Sequence, residues 1–199
     1  DPDPSAHRRS SLPSLAPRGS RATPMTLPSL AWERVTHGGE PDRWMAVLHG
    51  TYGHGRNWSS VLRRVVRERP EWGGAMMDLR GHGDSKGLEG PHTVEAAARD
   101  VLRTARADGL ELGAVLGHSL GGKIALECLR LAASNADGPG DPAPGRSAPS
   151  QVWVIDSTPA SGEREGGAWN MLQALRRHPG PFRSRDEAIH GLEQEGFGT

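Results

Sequence analysis

Apolar residues in this chain fall into short unbroken runs separated by amphipathic stretches. Trp44, Met45, Ala46, Val47 and Leu48 form one run, ending at His49 and Gly50, and Ala75, Met76, Met77 and Leu79 form a second around Asp78. Residues 112–116 and the run Val152, Trp153, Val154, Ile155 make a third and a fourth. Runs this short and this apolar predict strands buried on both faces. Between them the spacing changes. Val61, Leu62, Val65 and Val66 recur at one and four residues and predict a helix over 58–69. Thr93 is placed to cap a helix carrying Val94, Ala97, Val101, Leu102 and Ala105, and Gly109 to stop it. Residues 120–133 predict a third helix, with Cys128 on its apolar face. Two more are expected over 168–177 and 185–195, the second opened by a capping box of Ser184 and Glu187.

Strands alternating with helices predict an α/β domain: a mostly parallel sheet covered by helices on both faces. The flanks differ from this core. Residues 1–30 are rich in Ser and Pro. From Ser5 to Trp32 there is no acidic residue but four arginines, Arg8, Arg9, Arg18 and Arg21. That is the composition of an organelle transit peptide for a mitochondrion or plastid, or of a disordered leader. Ten of the 17 residues from 134 to 150 are Gly, Pro or Ser, which reads as a mobile insertion. The expected organisation is a leader at 1–30, a core at 31–159 interrupted by that insertion, and a helical segment at 160–199.

Composition narrows the function class. Basic and acidic residues balance at 24 each, against the basic excess of nucleic-acid and membrane-surface binders. The single cysteine excludes a disulfide framework or a cysteine-built zinc site, and no apolar stretch is long enough to span a membrane. His49, His54, His82 and His118 show no metal-ligand spacing.

The densest chemical signal is Gly117-His118-Ser119-Leu120-Gly121-Gly122, a G-x-S-x-G pattern with a strand before it and a helix after it. A serine in such a strained turn is exposed as a nucleophile, at a helix N-terminus that favours developing negative charge. The same residues approach a phosphate-binding loop, Gly117 through Gly122-Lys123. That motif needs Ser or Thr next to hold magnesium, and Ile124 cannot ligate a metal. An acyl-transfer serine also needs two N–H donors for the oxyanion. Leu120, after the nucleophile, and Thr51, in the turn His49-Gly50-Thr51-Tyr52-Gly53, are the candidates. Asp156, closing the fourth strand, is the candidate acid, with a turn-former before Pro159 as its plainer role.

Together with Arg80-Gly81-His82-Gly83-Asp84-Ser85, these motifs resemble the esterase and thioesterase branch of the α/β-hydrolase superfamily, which includes small bacterial acyl esterases. The resemblance runs over residues 31–199 apart from the insertion. It implies an α/β-hydrolase fold, incomplete here, with the start of a helical lid at 160–199. It implies a serine hydrolase of small-molecule carboxylic esters or thioesters, with Ser119 as nucleophile, Thr51 and Leu120 as oxyanion donors, either Asp156 or a residue one strand later as acid, and no metal or organic cofactor. In the family the Arg80–Ser85 turn is structural, and the catalytic histidine follows the last strand. Only His178 and His190 follow Ser119 here, both in the lid-like helices. The base is therefore expected beyond residue 199, and the chain alone is expected to be inactive. The alternative is a binding module of the same fold without the triad histidine.

Overall fold

The computed structural model describes residues 29–134, 148–159 and 166–197. All but the last two residues of the leader and most of the Gly/Pro/Ser insertion lie outside these. On the insertion's flanks, Ser134 belongs to a helix and the Ser150 hydroxyl donates to the Gly113 carbonyl at 3.0 Å.

Five strands form one sheet: β1 (Trp32–Val35), β2 (Arg43–Leu48), β3 (Trp72–Met77), β4 (Leu112–His118) and β5 (Gln151–Ile155). Their spatial order is β1-β3-β2-β4-β5. β1 runs antiparallel to β3 and every other pairing is parallel. Helices α1 (Ser59–Glu68), α2 (Val94–Ala107) and α3 (Leu120–Ser134) connect the parallel strands, and α4 (Gly167–Arg177) and α5 (Arg185–Gln194) follow β5. Among the described residues, no helix is long and apolar enough to cross a membrane.

The two-residue period of a strand explains why β2 is apolar throughout. Ala46 and Leu48 enter a core shared with Val101, Ile124, Ala125 and Cys128 of α2 and α3. Val47 enters a smaller core with Leu62 and Val66 of α1. Burial pushes the Cys128 thiol far above its ordinary pKa, as expected for a packing residue rather than a nucleophile. Thr93 caps α2 by accepting the Ala96 N–H at 3.1 Å. Ser184 caps α5 by accepting the Glu187 N–H at 3.1 Å. The Glu187 carboxylate reaches back to the Arg183 N–H at 2.6 Å, one residue earlier than a standard capping box.

Three expectations need correction. β1 is invisible to the pattern because two of its four residues, Glu33 and Arg34, are exposed charges. Antiparallel pairing with β3 holds it, helped by the Ala31 N–H donating to Ser85 Oγ at 2.8 Å and the Leu30 N–H to Thr104 Oγ1 at 2.9 Å. β5 is not covered on both faces. Trp153, in a run predicted to be buried on both faces, is 54 % exposed, and Ile155 is exposed beside it. Both project from one face of a strand paired along only one edge within the described sheet. Val61, grouped with the buried face of α1, is also exposed, while Leu62 and Val66 carry the packing.

One buried charge cluster ties α2 to the turn after β3. Asp100 is 1 % exposed and accepts from Arg80 Nε at 2.6 Å and from Arg103. Removing the carboxylate leaves two guanidinium groups partly buried and facing each other. Asp100→Ala is expected to lose about 3–5 kcal/mol of stability. Removing the exposed Arg130–Glu127 pair through Arg130→Ala is expected to cost less than about 1 kcal/mol. Urea denaturation of the two variants tests the contrast.

Candidate active site

The sheet's parallel strands end in a cluster of turns, where an open α/β fold gathers its ligand site. Ser119 sits between β4 and α3 with φ +52°, in the left-handed region that side chains other than glycine rarely enter. Its N–H donates to the Ile155 carbonyl at 2.9 Å, and its own carbonyl accepts the Gly122 N–H at 3.0 Å. The strain is held by close backbone contacts that only glycine allows. A Cβ on Gly117 would overlap the Gly121 carbonyl, and one on Gly121 would overlap the carbonyls of Leu48 and His49. G-x-S-x-G is thus a packing requirement here: the glycines let α3 start against the ends of both β4 and β2.

The turn after β2 lies beside the serine. A Cβ on Gly50 would stand 2.8 Å from His118 Nδ1 and 3.2 Å from Ser119 Cβ. The Gly53 N–H closes the turn onto the Gly50 carbonyl at 3.0 Å, with Tyr52 at φ +65°. Thr51 and Ser119 line two adjoining clefts. One, of about 480 Å³, includes Tyr52, Trp58, Val61 and His118. The other, of about 620 Å³, includes Leu120, Lys123, Asp156 and Ser157. Leu120 is the first residue of α3, so its N–H has no carbonyl four residues back within the helix.

Asp156 closes β5 with φ +49° and an exposed carboxylate, whose Oδ2 lies 3.7 Å from His118 Nε2. The structure therefore brings Ser119, Thr51, Leu120 and Asp156 to one rim. His178 and His190 are engaged elsewhere. His178 Nε2 bonds to Glu195 Oε1 at 3.1 Å, and His190 Nε2 to Gln194 Nε2 at the same distance. Lys123 donates to the Thr158 carbonyl at 2.9 Å and lines the cleft. That bond escaped sequence reading because its acceptor is a backbone group 35 residues away.

His49 and Asp78 show how the rim is held. His49 is 1 % exposed. Its Nε2 accepts the Leu79 N–H at 3.1 Å, which leaves Nδ1–H to donate to the Gly50 carbonyl at 2.8 Å. Accepting the Leu79 N–H needs the neutral ring. Burial lowers its pKa, and the His82 ring, 4.9 Å away between centroids, works in the same direction against the Gly50 carbonyl. Burial pushes the Asp78 carboxyl up. The N–H groups of Gly55, at 2.7 Å, and Asp84, at 3.0 Å, outweigh it and hold the pKa below the ordinary value. Buried His49 and half-buried Asp78 thus fix the turns after β2 and β3 to each other.

A mostly parallel sheet with a strained serine at a strand-to-helix turn is the arrangement that the G-x-S-x-G pattern anticipates. The model of the alpha/beta hydrolase family matches residues 45–196, and the chain belongs to that family. It is 37 % identical over 94 residues to 2-succinyl-6-hydroxy-2,4-cyclohexadiene-1-carboxylate synthase of Serratia proteamaculans, a match covering 47 % of this chain and 35 % of the relative. The enzyme of that name from Pectobacterium atrosepticum is 35 % identical over 94 residues, 46 % of this chain and 35 % of the relative. Among solved structures, a marine microorganism esterase superposes with TM-score 0.64 at 22 % identity, over 84 % of this chain and 58 % of that one. A thermophilic esterase from Thermogutta terrifontis does so with TM-score 0.51 at 21 % identity, over 74 % and 46 %. These two share the fold. The matches span about a third of the curated relatives' length and about half of the solved chains'.

The neutral His49 ring sets a pH dependence. Its pKa is lowered in the folded state, so the unfolded chain binds more protons once the pH falls below about 6.5, and stability falls with it. His49→Gln keeps an acceptor for Leu79 and removes this titration. The stability gap between wild type and His49→Gln is expected to narrow from pH 7.5 to pH 5 in urea titrations. A constant gap would show that folding leaves the His49 pKa unchanged.

Proposed function

We propose that this chain carries the nucleophile of a serine hydrolase that cleaves carboxylic esters or thioesters. One observation carries the reading: Ser119 is held at φ +52° by glycine-only contacts, on a rim shared with Thr51, Leu120 and Asp156. In the proposed reaction Ser119 Oγ attacks the carbonyl carbon while a base takes its proton. The Thr51 and Leu120 N–H groups stabilise the oxyanion. Collapse of the intermediate breaks the carbonyl–oxygen or carbonyl–sulfur bond, and the alcohol or thiol leaves with the proton. Water attacks the acyl-enzyme by the same route, releasing the carboxylic acid and restoring the serine. Asp156 orients the base, a histidine proposed to lie beyond Thr199 in the full-length protein. Delivery of the protein to a mitochondrion or plastid is proposed on the composition of residues 1–30 alone.

The engagement of His178 and His190 within the α4–α5 region supports a second reading, a binding module of this fold without turnover. Loss of the triad histidine costs about 10⁶ in kcat in a serine protease, which separates the two readings. The full-length protein is expected to hydrolyse p-nitrophenyl butyrate and to react with a fluorophosphonate probe, and Ser119→Ala to abolish both. Retained hydrolysis in that variant would remove Ser119 from the mechanism. Asp156→Asn is expected to lower kcat by about 10⁴ if it orients the base. An effect under tenfold transfers that role to another acid. The synthase activity named for the curated relatives is a second reaction to assay with the same variants.

A further inference from the structure

Behind Leu120, on the α2–α3 side of the sheet, lies a third cavity of about 300 Å³. Leu79, Val94, Ala97, Leu120 and Ile124 form its apolar wall. Leu79, Ala97 and Ile124 are buried in the main core, so this wall is set by the fold. Leu120 also lines the cleft that holds Ser119, Thr51 and Asp156, so one side chain separates the cavity from the nucleophile.

Among the polar side chains around the cavity, Arg80, Thr93 and His82 each have a partner. Arg80 donates to Asp100 Oδ2 at 2.6 Å and to the Pro91 carbonyl. Thr93 Oγ1 accepts the Ala96 N–H at 3.1 Å, and His82 Nδ1 contacts the Arg80 carbonyl at 3.1 Å. His92 is exposed at the rim. A polar occupant would lose its water shell and meet groups that are already bonded, at a net cost. An aliphatic occupant loses nothing and buries its surface.

We infer that this cavity receives the aliphatic acyl chain of the substrate, running from the carbonyl at Ser119 past Leu120 and beneath the Arg80-Gly81-His82 turn. The assignment rests on the serine-hydrolase reading and deepens it: the substrates are esters or thioesters of medium straight-chain acids. At about 30 Å³ for each methylene-sized unit, the volume of about 300 Å³ admits no more than about ten carbons. Each methylene buried contributes about a fourfold gain in kcat/KM until the space is filled. The Arg80–Asp100–Arg103 cluster then has a second consequence, because it fixes the turn that roofs the acyl chain.

The test uses the full-length protein and p-nitrophenyl esters from acetate to laurate. The expected kcat/KM climbs about fourfold per methylene and levels or falls no later than decanoate. Ala97→Phe fills the cavity and is expected to lower the octanoate-to-acetate ratio at least tenfold. Val94→Phe, at a partly buried position, is expected to do the same and serves if the buried substitution prevents folding. Independently of turnover, sodium octanoate added to Ser119→Ala is expected to shift the Ala97 and Ile124 methyl signals in a carbon–proton NMR spectrum. Octanoate-induced shifts without hydrolysis of any ester would uphold the cavity and overturn the hydrolase reading. Hydrolysis with a flat chain-length profile, unchanged by either phenylalanine, would overturn the cavity and leave the hydrolase reading in place.

Discussion

Where β4 turns into α3, backbone passes backbone at van der Waals distance. Gly117 faces the carbonyl of Gly121, Gly121 faces the carbonyls of Leu48 and His49, and Gly122 faces Ser157 and Val154. The ends of β2 and β4 and the start of α3 converge there with no side chain in between to absorb an error, and β5 meets α3 through the side chains of Ser157 and Val154. The serine's positive φ follows from that convergence, as does the closeness of the turn after β2. A β-carbon at any of these glycines would separate elements that the rest of the site needs in contact. The core behind them is ordinary aliphatic packing and tolerates volume-conserving change far better.

Backbone contact alone does not orient the turns. Each parallel strand ends with N–H and C=O groups that have left the sheet and need partners. His49 and Asp78 supply them across chain separations of 30 and 23 residues, to Leu79 and to Gly55. Asp100 does the same at one remove, holding Arg80 and through it the turn that ends in Ser85. Buried polar groups contribute little net stability, because desolvation offsets most of their attraction. They do fix geometry. A turn held by one acceptor at 3 Å has one arrangement, whereas a turn held by apolar contact has several. The three sites lie at strand ends and at the neighbouring helix, next to the rim they serve.

Most of the architecture was legible because β2 and β3 are buried on both faces and α2 carries its own cap and stop. Thr93 and Gly109 do locally what the sequence pattern implies. The serine turn was legible for the same reason: glycine spacing records contacts that are local in the chain. Features set by distant partners were not. β1 exists because β3 pairs with it, and its own four residues read as a charged linker. The Lys123 bond was not legible because its acceptor, the Thr158 carbonyl, carries no sequence signature. Trp153 looked like core because apolar runs do not distinguish a central strand from one covered on a single face. The aliphatic character of the cavity behind Leu120 depends on which polar groups are already bonded, and that accounting needs three dimensions.

Around Ser119 the surfaces divide by origin and by chemistry. The turn after β2 and α1 contribute aromatic and aliphatic side chains, Tyr52, Trp58 and Val61. The ends of α3 and β5 contribute a cation, a carboxylate and hydroxyls, through Lys123, Asp156, Ser157 and Thr158. The turn after β3 and α2 contribute the apolar chamber. A two-step acyl transfer makes three different demands at one carbon: a place for the acyl group, a path for the leaving group, and an approach for a base and water. Acyl groups of this class are apolar, and proton transfer needs polar groups. One uniform pocket would serve one demand at the expense of the others. Loops from separate strand ends let each surface carry its own chemistry while the shared glycine contacts keep all of them within reach of one oxygen.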